Sequence, residues 1–205
     1  MMANLDQLKQ DLIETGRWID SRHWCPATSG NLSAWIDSEQ FLITVSGKGK
    51  GELTPDDLMI VDAGGNPVNT PLKPSAETLL HSLIYRRFPD ARYVFHTHSV
   101  YGTVLSRAIW SGEIVFRNYE LQKAFSGIDT HESEMKVPVF ANSQDMVALS
   151  KEVEQHFADA QACHAFILAG HGVYTWGKTA RECRRHIEAM EFLLEAEYKS
   201  CLLLK

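Results

Sequence analysis

Between two helical patterns, over residues 75–88 and 100–109, the chain carries the run ARYVFHTHS (91–99). Tyr93, Val94 and Phe95 favour pleated backbone, so this run reads as a strand with a helix on either side. A strand so placed must find its sheet partners elsewhere, and the candidates are short and scattered. NLSAWI (31–36) and FLITVS (41–46), separated by DSEQ, read as a hairpin or as adjacent strands. LMIVD (58–62) is a third strand, EIVFRNYE (113–120) is extended, and VPVF (137–140) is a short apolar run. HAFILAGHGVYTWG (164–177) reads as two strands broken at Gly170, His171 and Gly172.

Helical patterns fill the rest. Leu5, Leu8, Leu12 and Ile19 predict an amphipathic helix over 4–22, and residues 143–158 predict another. Thr54 with Pro55 and Asp57 has the form of a capping box opening one helical turn before LMIVD. Cys183, Ile187, Met190, Leu194, Tyr198 and Cys201 repeat every three or four residues and predict a long closing helix. No repeat or linker divides the 205 residues, a length that buries one core. The expected fold is α/β, a single domain over 1–205 with a mostly antiparallel central sheet flanked by helices.

The net charge of -6 argues against a nucleic-acid or anionic-membrane surface, since phosphate backbones need a basic face. No run approaches ~20 apolar residues, and MMANLDQLKQ lacks the layout of a secretory signal, so a cytoplasmic protein is expected. Cys25, Cys163, Cys183 and Cys201 are widely spaced and form no C-x-x-C pair, which predicts reduced, mostly buried thiols.

Nine histidines carry the chemistry. His96 and His98 lie two apart in a strand, so both rings project from one face with Cβ atoms about 6–7 Å apart. That spacing suits two ligands of one metal ion, and equally suits two half-exposed rings. Catalytic zinc takes three protein ligands and leaves a position for water or substrate. His171 is the best third candidate, because Gly170 and Gly172 permit a sharp turn at a strand end. His164, at the start of the same strand, is a weaker rival. His23, His81, His131, His156 and His186 fall in helices or polar loops, where surface exposure is expected.

Three segments are rich in small residues: TSGNLS (28–33), SGKGKGE (46–52) and KPSAE (73–77). Backbone amides at Gly30 and Asn31, or at Ser46 and Gly47, can form an anion-binding nest. Ser75 at a helix start adds a hydroxyl and the helix dipole. Lys48 and Lys50 offer local positive charge or a solvated loop. No nucleotide-binding glycine motif is present.

Taken in order and spacing, TSGNLS, the SG loop followed by ELTPDDL, PSAE, HTHS and GHGVYTWG resemble the class II aldolase/adducin family over nearly the whole chain. The resemblance implies one zinc ion per subunit held by His96, His98 and His171. It implies a phosphate site at Gly30, Asn31, Ser46, Gly47 and Ser75, and a phosphorylated ketose as substrate. HTHS followed by FRNYELQKAFSG, THES and VPVFANSQDM is similar to a branch that dehydrates a methylthio-bearing ketose 1-phosphate through an enediolate. In that branch the acid/base matches Glu120, whereas the aldolase base matches Glu77. Tyr119, Phe125, Trp110 and Tyr174 are aromatic candidates for the methylthio end, with core packing the plainer role of each. A class II aldolase releasing dihydroxyacetone phosphate, and a non-catalytic adducin-like module, are the alternative functions. The family likeness also implies a homo-oligomer, a homotetramer with the active site near a subunit interface.

Overall fold

A computed structural model of the chain describes residues 4–108, 112–158 and 164–203. Eight strands form one sheet: β1 (Asn31–Trp35), β2 (Gln40–Thr44), β3 (Leu58–Asp62), β4 (Tyr93–Thr97), β5 (Glu113–Phe116), β6 (Met135–Phe140), β7 (Ala165–Leu168) and β8 (Gly172–Gly177). Their order is β3-β2-β1-β4-β8-β7-β6-β5. Every pairing is antiparallel except β6 with β7, as the expected mostly antiparallel sheet requires.

Among the described residues, five α-helices cover the sheet: α1 (Leu5–Asp20), α2 (Thr78–Arg87), α3 (Val100–Ala108), α4 (Met146–His156) and α5 (Ala180–Leu203). Strand alternation sorts β4 between two layers. Val94 packs into the cluster that holds α2 and α4 side chains, such as Leu83 and Val153. Tyr93 and Phe95 face the opposite cluster, with Leu8 and Leu12 of α1 and Cys183 of α5. The histidine at position 96 therefore shares the α2 side of the sheet, and Thr97 faces α5, where its hydroxyl donates to Glu191 Oε1 at 2.8 Å.

Local chemistry sets the element ends. Asn4 caps α1 by accepting from the amides of Asp6 and Gln7. The Asp57 carboxylate accepts from the amide and hydroxyl of Thr54, forming the predicted capping box. The extended run expected over EIVFRNYE stops at Phe116. Asn118 adopts φ 62° there, and Glu120–Ala124 form a 3-10 turn. The helix expected from Ser75 starts at Thr78, after a turn in which the Ser75 hydroxyl accepts from the Glu77 amide. Cys25 and Cys183 are buried and Cys201 is half-buried, all as free thiols. Cys163 and Trp110 lie outside the described residues. Among the described residues no helix is long and apolar enough to cross a membrane.

Candidate metal centre and its flanking cavities

Four side chains converge where β4, the β7–β8 turn and the start of α2 meet. One ligand atom from each of Glu77, His96, His98 and His171 lies within 4.8 Å of all the others. The fully buried His96 comes from the strand itself, and His98 stands one residue beyond it. His171 occupies the β7–β8 turn, where Gly170 takes φ 65° and Gly172 packs against β4. A Cβ at Gly172 would lie 2.1 Å from the Thr97 carbonyl oxygen and 2.8 Å from His96 Cε1, so only glycine permits this approach.

Partners of the ring nitrogens fix the tautomers. His96 Nδ1–H donates to the Val173 carbonyl at 2.9 Å, and His171 Nδ1–H donates to Asn142 Oδ1 at 3.1 Å. In each neutral ring this leaves the Nε2 lone pair directed into the cluster. Burial holds the His96 ring well below the usual histidine range, and burial with the neighbouring His171 holds His98 at about 4. His96 Nε2 and His98 Nε2 stand 2.8 Å apart, and His171 Nε2 is 2.8 Å from Glu77 Oε1. Neutral imidazole nitrogens aimed at one point beside a carboxylate form the donor set that a divalent cation takes, with roughly 2.0–2.1 Å bonds for zinc. Burial raises the Glu77 carboxyl, but the adjoining His96 and His171 rings and the hydrogen bond from the Asn31 amide outweigh it and hold the group ionised.

Behind Glu77 runs a chain of buried hydrogen bonds that the sequence did not reveal. His81, expected at the surface, is fully buried. Its Nε2–H donates to Asn31 Oδ1, and its Nδ1 accepts from the Ser33 hydroxyl at 2.7 Å. Ser33 Oγ in turn accepts from the Tyr85 hydroxyl at 2.7 Å. Burial pushes His81 down to about 3, so the ring is neutral and can carry this one-way pattern. At the far end the Asn31 amide NH2 donates to Glu77 Oε2 and, at 3.4 Å, to Ser75 Oγ.

Among the described residues, two cavities open on the cluster. The first, about 270 Å³, brings together all five residues expected at the phosphate site, Gly30, Asn31, Ser46, Gly47 and Ser75, beside Glu77, His98 and His171. Residues 27, 28, 30 and 47 all have positive φ here, which curls the two loops around this space. Lys48 pairs outward with Asp57 at 2.9 Å. Lys50 is buried instead of solvated, donating to the carbonyls of Thr28 and Lys48 at 3.0 and 2.7 Å and tying the loops together. The second cavity, about 550 Å³, shares His98, His171 and Gln144 with the first and extends over Val100 and Val104.

Other candidates stand elsewhere. Glu120 opens the 3-10 turn with its side chain 72% exposed, pairs with Lys123 at 2.7 Å, and lines neither cavity. His164 donates to the Ser126 carbonyl, and His186, also expected at the surface, is buried and stacked on Phe125. Tyr174 is fully buried between His96 and Phe166, Phe125 is in the core, and Tyr119 donates to Glu197. None of these three aromatics lines either cavity.

Residues 10–198 match the family described as Class II Aldolase and Adducin N-terminal domain. The chain belongs to the class II aldolase and adducin family. Among its relatives in that family, a methylthioribulose-1-phosphate dehydratase of Methylococcus capsulatus is 51% identical over 91% of each chain. Another of the same name from Marinobacter nauticus is 49% identical over 93% of this chain and 92% of its own. The class II aldolase fold is shared with L-fuculose-1-phosphate aldolase of Thermus thermophilus, at a TM-score of 0.79, 24% identity and 98% of both chains. It is shared also with YgbL of Klebsiella pneumoniae, at a TM-score of 0.81, 24% identity, and 96% of this chain and 91% of that one.

Proposed function

We propose that this chain is a zinc-dependent lyase that dehydrates 5-methylthioribulose 1-phosphate to 2,3-diketo-5-methylthiopentyl 1-phosphate, a step of methionine salvage in the cytoplasm. Relatives about 50% identical over nine-tenths of the chain carry that dehydratase name. The observation that carries the reading is the shared wall: His98 and His171 belong both to a cavity of glycine amides and serine hydroxyls and to a second cavity beyond it. A ketose 1-phosphate needs that arrangement, with its phosphate on one side of a cation and the rest of its carbon chain on the other.

A divalent ion held by His96, His98 and His171 supplies Lewis acidity toward the ketone and makes the adjacent C3–H acidic. The chain's residues do the rest. The nest at Gly30, Asn31, Ser46, Gly47 and Ser75 binds the phosphate. Glu77, at the cluster and ionised, takes the C3 proton. The freed electron pair forms the C3–C4 double bond as the C4–O bond breaks, and the hydroxyl leaves as water with a proton from an acid. The resulting enol relaxes to the diketone. Glu120 is the acid, contributed by a neighbouring copy in a homo-oligomer, because within one chain it lines neither cavity.

Product analysis tests this function. Purified protein given 5-methylthioribulose 1-phosphate is expected to form the diketone and water. Release of dihydroxyacetone phosphate would replace the dehydratase with an aldolase, and absence of bound metal would favour a non-catalytic module.

A further inference from the structure

The second cavity has a composition that phosphate binding does not explain. Val100 and Val104 stand one turn apart at the start of α3, directly after His98 and Ser99, and are 69% and 39% exposed. With Pro26 they give the cavity an apolar wall that begins at the histidine cluster. Two of the polar groups nearby are already engaged. The Thr103 hydroxyl is directed to the carbonyls of Ser99 and His171, and Asn142 Oδ1 accepts from His171. The space therefore offers hydrocarbon contact to a group that projects from the cluster away from the phosphate loops.

We infer that Val100 and Val104 form the subsite for the apolar tail of the substrate, a short thioether, and that they set the preference for a methylthio group at C5. This rests on the proposed dehydration. A ketose with its phosphate in the first cavity and its C2–C3 oxygens at the histidines directs C4 and C5 toward His98, His171 and Gln144, the residues common to both cavities. The C5 substituent then meets α3. Burying one methylene-sized group is worth about a 4-fold change in binding, so a sulfur and a methyl together are worth about 10- to 20-fold.

The test compares kcat/KM for 5-methylthioribulose 1-phosphate and 5-deoxyribulose 1-phosphate in wild type, Val104→Asn, Val104→Thr and Val100→Asn/Val104→Asn. The ratio between substrates cancels any loss of active protein, so a poorly folding variant still reports. The wild-type ratio is expected to be about 10 to 20, to fall in Val104→Thr, and to approach 1 in the double variant. A wild-type ratio near 1, or a ratio that the substitutions leave unchanged, overturns the subsite while the dehydration stands. Failure of the wild type to dehydrate either compound overturns both.

Discussion

The ring of His81 donates to the side-chain oxygen of Asn31, and that bond decides which way the Asn31 amide faces. With its oxygen engaged, Asn31 turns its NH2 group to Glu77 and Ser75. Glu77 is thus aimed at the histidines by a residue two bonds removed, on an interior chain that ends at Tyr85. His81→Phe keeps the volume of a ring and removes the donor. An unpaired buried polar group costs about 1–3 kcal/mol, or roughly 5- to 150-fold in rate if the loss falls on the reaction. The expected result is a fall of that size in kcat/KM with metal content near wild type, measured by steady-state kinetics and elemental analysis.

Gly172→Ala presses on the metal site from the opposite strand. Its added methyl would overlap the Thr97 carbonyl and His96 Cε1, so β4 and β8 must part. Overpacking of this kind costs about 1–3 kcal/mol. Isothermal titration with zinc is expected to show affinity weaker by roughly 5- to 150-fold, together with a lower Tm.

Glu191 makes stability depend on pH. The carboxyl is wholly buried, accepts from Thr97 at 2.8 Å and leaves Oε2 without a partner, and burial raises it from 4.5 to about 7. Between those values the folded chain keeps a proton that the unfolded chain has released. This contribution is therefore complete below about pH 4.5 and is lost as pH rises through 7. The loss is about 3 kcal/mol above pH 7. Urea unfolding of Glu191→Gln across pH 4.5–8 is expected to lack this fall, making the variant the more stable form at pH 8.

Mixed oligomers test where Glu120 acts. Glu120→Gln and His98→Ala are each expected to be inactive, the first with metal bound and the second without. If Glu120 of the partner subunit completes the site, co-refolded mixtures of the two recover roughly a quarter of wild-type activity from sites that draw one intact residue from each chain. Mixtures as inactive as the parents would return the carboxylate's role to a single chain.

Much of the fold was legible because it rests on local patterns. Alternation in ARYVFHTHS, the 31–46 hairpin and the spacing along α5 each reflect the period of their own element. The convergence of His171 on the H-x-H pair was legible in part, from glycines that mark a strand-end turn. His81 and His186 are buried where their sequence surroundings predict exposure, because a helix pattern does not show which polar ring finds a buried partner. His81 owes its place to Ser33 and Asn31, about 50 residues away in sequence. Asn142 likewise carries no local signal, since its task is to orient a histidine 29 positions later. Tyr174 was a candidate for substrate contact, and the strand register turns it beneath His96 instead.

Metal titration of dehydration shows whether the reaction depends on the histidine cluster. Metal-free protein, prepared with a chelator and given 5-methylthioribulose 1-phosphate, is expected to be inactive. Its rate of diketone formation should then rise linearly with added zinc and level off at one equivalent per chain, and His171→Ala should stay inactive throughout. Full dehydration by the metal-free protein, or full activity in His171→Ala, would contradict a reaction centred on the histidine cluster.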